Sequence, residues 1–180
     1  MQLKINGEEI TAKDVEKQYE KIPEEVKANI TENQVLDTMV TQKLLLHEAD
    51  SKGIAATYDE TDKYLGKLKT LNGYDDNTFK QQILKSGYTP DEYRKNVKDF
   101  LTESKLLNTV LDLKNVQASD QEVDSFIQKN KDEFQDIFSE GDPSIENFLK
   151  ARIKQNLTQE KRRELVNDYI DSLRKKAKIE

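Results

Sequence analysis

The chain has 180 residues, enough for one ordinary domain, and it is 36% charged against 34% hydrophobic, a thin apolar allowance that favours solvent-washed helices over a thick core. A net charge of -6 and a pI near 5.1 exclude a general nucleic-acid binder, which needs a basic face. No run of 18 apolar residues is present, so no stable membrane insertion is expected, and the absence of cysteine removes disulfides, thiol nucleophiles and thiolate metal sites together.

In chain order, Gln2 to Asn6 alternates Leu3 and Ile5 with polar neighbours before the turn signal Asn6-Gly7, which predicts one short strand. The other short stretch suited to pairing is Ala177 to Glu180, so the two ends are expected to meet in a small two-stranded ribbon. Between them the punctuation is helical. Thr11 with Asp14, Thr31 with Gln34, Thr57 with Glu60, Thr89 with Glu92 and Ser119 with Glu122 each have the spacing of a reciprocal N-terminal cap, and Pro90 suits a first helical position. Gly53, Gly73 and Gly87 mark stops.

Gly66 falls inside a helical run and costs stability there unless a close helix crossing requires it, which is the reading preferred for it. After Gly141-Asp142-Pro143, Ser144 is placed to cap a last helix running to about Lys176. Its apolar stripe is clean from Leu165 to Leu173, whereas Lys154 to Arg163 is polar nearly all round. The fold class is therefore all-α, with the small ribbon joining the N- and C-terminal ends.

Charge is unevenly spread. From Lys150 onward there are ten Lys/Arg against five Asp/Glu, about +5, and the preceding part is about -11. A basic helix against an acidic body predicts attraction within the chain first and a partner surface second.

Catalytic chemistry finds little support. His47 is the one histidine, so a nucleophile-histidine arrangement would rest on it alone and a histidine zinc site would lack its second imidazole. It reads as a residue on a helix surface or rim. Six glycines scattered singly make no phosphate loop, and Asp75-Asp76 is explained by capping the helix that follows. No enzyme activity, cofactor or metal is expected. Seven Tyr and six Phe are present instead, several near helix ends. Tyr offers a broad apolar face with a polar tip at little entropic cost, which suits a groove that holds many apolar segments without demanding one sequence. Tyr64, Tyr74, Phe79, Tyr88 and Phe138 are the candidate peptide-binding residues.

Ile5-Asn6-Gly7-Glu8-Glu9-Ile10-Thr11, Gln42-Lys43-Leu44-Leu45-Leu46-His47-Glu48-Ala49 and Tyr88-Thr89-Pro90-Asp91-Glu92-Tyr93-Arg94 resemble motifs of the SurA/PrsA parvulin-associated chaperones. The resemblance continues through Ser119 to Val123, Asn130 to Phe134, Glu160-Lys161-Arg162 and Leu173 to Ile179, in family order over nearly the whole chain.

That resemblance implies a single chaperone module. Residues 1–134 would be its N-terminal helical part, 135–143 a linker where related chains insert a parvulin domain, and 144–180 its long C-terminal helix and terminal strand. The linker is too short for that domain, and the histidines of a parvulin site are missing, so no isomerase activity is implied. The implied function is ATP-independent holding of unfolded or newly secreted polypeptides in an apolar cradle, outside the cytoplasm in a periplasm or cell envelope. MQLKINGEEI has no signal-peptide pattern, so the leader is expected to be absent from this chain. A homodimer by swapping of the C-terminal helix is compatible with the short hinge, since the same contacts form either way. The competing reading is a structural or adaptor protein that docks one folded partner on the basic helix.

Overall fold

The computed structural model describes residues 2–134 and 142–178. It opens on β1 (Gln2–Ile5) and β2 (Glu8–Thr11), followed by α1 (Ala12–Glu20), α2 (Glu24–Lys27), α3 (Glu32–Ser51), α4 (Tyr58–Leu71), α5 (Asp76–Lys85), α6 (Pro90–Leu111), α7 (Asp120–Lys129) and α8 (Pro143–Lys176). The chain is mainly helical, as expected.

The two strands correct the expected ribbon. β1 pairs antiparallel with β2, Leu3 opposite Ile10 and Ile5 opposite Glu8, so the ribbon is a local hairpin. Asn6 and Gly7 both have positive φ, 48° and 92°, the turn whose twist matches two flanking strands. Closing this hairpin costs far less chain entropy than joining the two ends, and it buries Ile5 and Ile10 almost completely. The ends do meet, one pair at a time. Asn6 N–H donates to the Lys178 carbonyl at 3.0 Å, and Lys178 N–H donates to the Asn6 side chain at 3.1 Å. Ile179 and Glu180 lie outside the described residues.

All five reciprocal caps form. At Ser119, for example, the hydroxyl accepts from Glu122 N–H at 3.2 Å and Ser119 N–H donates to the Glu122 carboxylate at 2.7 Å. The pairs led by Thr11, Thr31, Thr57 and Thr89 repeat this arrangement. Asp75 caps α5 by accepting from Thr78 N–H at 2.7 Å. Gly53, Gly73 and Gly87 follow α3, α4 and α5 with φ of 66°, 66° and 75°.

Other expectations change. α8 is capped by Asp142, which accepts from Ser144 N–H at 2.8 Å, so Pro143 takes the first helical position and Ser144 lies inside the helix. Among the described residues, no heavy atom beyond its chain neighbours and its own helix backbone lies within 4 Å of where a methyl would stand at Gly66, so no tight crossing accounts for that glycine. Leu165 is 39% exposed, so the stripe toward Leu173 packs less completely than its spacing suggests.

Two compact units result: Met1–Leu107 with Ile170–Glu180, and Asn108–Tyr169. In the first, Val40, Leu44, Leu45 and Ala49 of α3 are buried, as are Ile83, Val97, Leu106 and Leu173. Arg174 adds a charged tie, 2.7 Å from Asp37 and donating to Thr41 Oγ1 at 2.8 Å. In the second, the buried apolar side chains among the described residues are Ala118, Val123 and Ile153. Polar contacts there link α7 and the segment before it to the middle of α8. Lys154 bonds Asp120 at 2.8 Å, Lys161 bonds Glu122 at 2.8 Å, Thr158 accepts from Ala118 N–H at 3.0 Å, and Arg162 donates to the Val116 carbonyl at 3.2 Å. The polar stretch Lys154 to Arg163 is thus a packing face of its own kind.

Candidate functional site

α3 is the floor plan of the site. Its N-terminus is set by Thr31 and Gln34, and its buried residues Val40, Leu44, Leu45 and Ala49 turn one side to the core. Gln34, Thr38, Gln42, Leu46 and Asp50, spaced four residues apart, together with Val35, Met39, Lys43 and His47 beside them, line a groove of about 930 Å³. β2, α1, the loop before α6 and α6 itself contribute Glu8, Gln18, Tyr88 and Asn96, all within the larger unit. The groove mixes apolar and polar walls.

Its charges are partly matched. Lys43 bonds the Glu8 carboxylate, and that bond, with the charges of Lys43, His47 and Lys95, holds Glu8 below its ordinary pKa against the effect of burial. His47 Nε2 stands 3.4 Å from Glu8 Oε1 and makes no hydrogen bond, and the ring is partly exposed, which agrees with the rim position expected of it. Lys95 bonds Asp99 at 2.6 Å. Beside Asp99, Glu103 is raised above its ordinary pKa, chiefly by burial and also by Asp99, with a bond from Gln42 opposing.

Among the described residues, Tyr88 is the one predicted peptide-binding residue that lines this groove. Its hydroxyl donates to Gln18 Oε1 at 3.4 Å, Lys21 sits 3.8 Å over its ring, and burial raises its phenol. Tyr64 and Phe79 line two separate depressions of about 340 Å³ each, the first near Leu101 and Lys105 and the second near Ile83 and Tyr93. Tyr74, half-buried after Gly73, lines none of the three. Phe138 lies outside the described residues. Tyr93 was not among the predicted residues, yet its ring lies 6.0 Å from Phe79 and 6.4 Å from Tyr88, joining the two in an edge-on aromatic run. The signal missed was the α3 face itself, a regular row of amide, hydroxyl and apolar side chains that aromatic positions alone do not reveal. Among the described residues no cluster of three or more His, Asp or Glu could hold a metal ion, and no helix is long and apolar enough to cross a membrane.

This fold is shared with the SurA-like chaperones. A solved structure from Campylobacter jejuni, described in a study of the virulence factor PEB4 and the periplasmic protein Cj1289 as two structurally related SurA-like chaperones, superposes with a TM-score of 0.70. The match covers 100% of this chain and 98% of that one at 18% identity. The SurA-like N-terminal domain family matches residues 2–107, more than half of the chain. The chain belongs to that family. It is 28% identical over 119 residues to the Chaperone SurA of Bordetella pertussis, covering 66% of this chain and 22% of that protein. It is 22% identical over 153 residues to the Foldase protein PrsA of Clostridium botulinum, covering 73% and 45%. It therefore spans less than half the length of these curated relatives.

Proposed function

We propose that this chain holds unfolded or newly secreted polypeptides without ATP, and that it does so outside the cytoplasm. The observation that carries the reading is the α3 groove, an amphipathic concavity in the family-defining unit large enough to take a segment of foreign chain. Exposed apolar side chains in the same unit, Tyr58 at 62%, Leu71 at 82% and Phe100 at 50%, add weak secondary contacts. Tyr64, Phe79 and Tyr88 serve as dispersed aromatic holds, with Tyr74 and Phe138 as further candidates. Many small contacts offset by ordering costs give micromolar affinity and fast release, which suits a holdase.

No isomerase activity accompanies this role, and the chain acts as one chaperone module, with exchange of α8 between two copies as its route to a dimer. Four of the ten lysines and arginines from Lys150 onward, Lys150, Lys154, Lys161 and Arg174, pair with carboxylates of the same chain, which favours the holdase reading over an adaptor docking on the basic helix.

Light scattering of a chemically denatured enzyme diluted into buffer without nucleotide tests the reading. Equimolar protein should suppress the scattering, and undiminished aggregation would refute it. A proline-isomerisation assay on a short peptide should show no acceleration over buffer, and measurable turnover would overturn the non-enzymatic part.

A further inference from the structure

The α3 groove carries more than a general apolar affinity. Gln34, Thr38 and Gln42 form a row at four-residue spacing along its wall. Successive members of such a row rise about 6 Å along the helix axis. An extended polypeptide presents an N–H and a C=O on one edge every second residue, a repeat of about 6.6 Å. The two repeats stay in step within about 1.5 Å across three groups, a drift that flexible glutamine side chains absorb. From Gln34 to Asp50 the groove follows sixteen residues of helix, or about 24 Å, room for about seven residues of extended chain.

These groups have hydrogen-bonding capacity to spare. Gln34 uses its carbonyl oxygen to accept from Thr31 N–H at 2.7 Å, and its amide N–H groups have no partner among the described residues. Thr38 donates to the Gln34 carbonyl at 2.9 Å, which leaves its oxygen able to accept. The Gln42 amide lowers the pKa of Glu103, a donor's effect, which leaves the Gln42 oxygen able to accept. Each side chain can thus answer a strand edge.

Charge selects further. Both groove lysines are matched, Lys43 by Glu8 and Lys95 by Asp99, whereas Asp50 at the far end has no cationic partner among the described residues. The open carboxylate calls for a cation from outside.

We infer that the groove receives one extended polypeptide segment, its backbone edge bonded by the Gln34-Thr38-Gln42 row and a Lys or Arg of the segment set against Asp50. This rests on the holdase reading and gives it a mechanism. Recognition through the main chain explains tolerance of many sequences, because every client has the same backbone.

The test uses a fluorescein-labelled nonapeptide of alternating Leu and Ser with one terminal Lys, and two analogues N-methylated along one backbone edge or the other. Binding is followed by anisotropy on the full chain. One analogue should lose about tenfold in affinity, as expected for two lost hydrogen bonds, while the other stays within about twofold. A Thr38→Val/Gln42→Leu variant should bind the unmethylated peptide about as weakly as the wild type binds the sensitive analogue, and should no longer distinguish the two analogues.

Equal binding of both analogues by the wild type overturns the inference without recourse to any variant. So does a variant that changes oligomeric state and leaves peptide discrimination intact, since the groove would then be a contact between copies. Suppressed aggregation with no edge discrimination refutes backbone reading and leaves the holdase role standing. Failure of both assays removes both.

Discussion

The larger unit and the Asn108–Tyr169 unit solve the problem of a thin apolar allowance differently. The first concentrates it, with Ile5, Ile10, Leu44, Leu45 and Leu106 all 4% exposed or less, and can therefore leave part of the α3 surface open as a groove. The second has Ala118, Val123 and Ile153 as its buried apolar residues among those described, and fills the rest of its packing face with ion pairs and side chain to main chain bonds. Exposed ion pairs contribute little each and are screened by salt. The contrast teaches that one segment of this chain is held by burial and the other by caps and charges.

Three changes probe the contrast, beginning with the largest. Leu106→Ala, at a fully buried site in the larger unit, should cost about 2–5 kcal/mol in denaturant melts. A much smaller loss would show that its surroundings collapse to fill the space.

Ser119→Ala removes the cap of α7 and should cost about 1 kcal/mol, read locally as faster amide exchange in α7 with α3 unchanged. Uniform loss across both units would mean they melt as one. The same helix should be acid-sensitive. Lys161 and the Ser119 cap hold Glu122 at a pKa of about 2, below the ordinary 4.5. A depressed carboxyl stabilises the fold above its unfolded pKa and loses that contribution as pH falls from 4.5 toward 2, so α7 protection should decline over that window. Glu60 and Glu92, also at about 2, extend the decline to α4 and α6.

The smallest effect has the opposite sign. Gly66→Ala should stabilise the larger unit by about 0.5–1 kcal/mol, because alanine favours helix and its methyl meets open space. A loss on thermal melting would restore the close crossing expected from the sequence.

Much of this architecture was legible in the residues. Helix starts at Thr11, Thr31, Thr57, Thr89 and Ser119 could be named because a cap is an agreement between residues three apart, and nothing distant needs to be known. The long last helix, the single histidine at a rim and the attraction between the basic helix and acidic residues followed from similarly local evidence or from charge alone. The site was only partly legible: Tyr88 reaches the groove, whereas Tyr64 and Phe79 line other depressions.

What the sequence by itself determined, then, is where the five reciprocally capped helices begin and where Gly53, Gly73 and Gly87 end theirs, since hydrogen bonds over three or four residues decide that. Tertiary structure alone decided which part of α3 would stay open, that the Lys178 carbonyl would accept from Asn6 N–H, and which carboxylates Lys43 and Lys154 would find. Those outcomes depend on groups brought together from distant positions, where burial and loop closure outweigh any local preference.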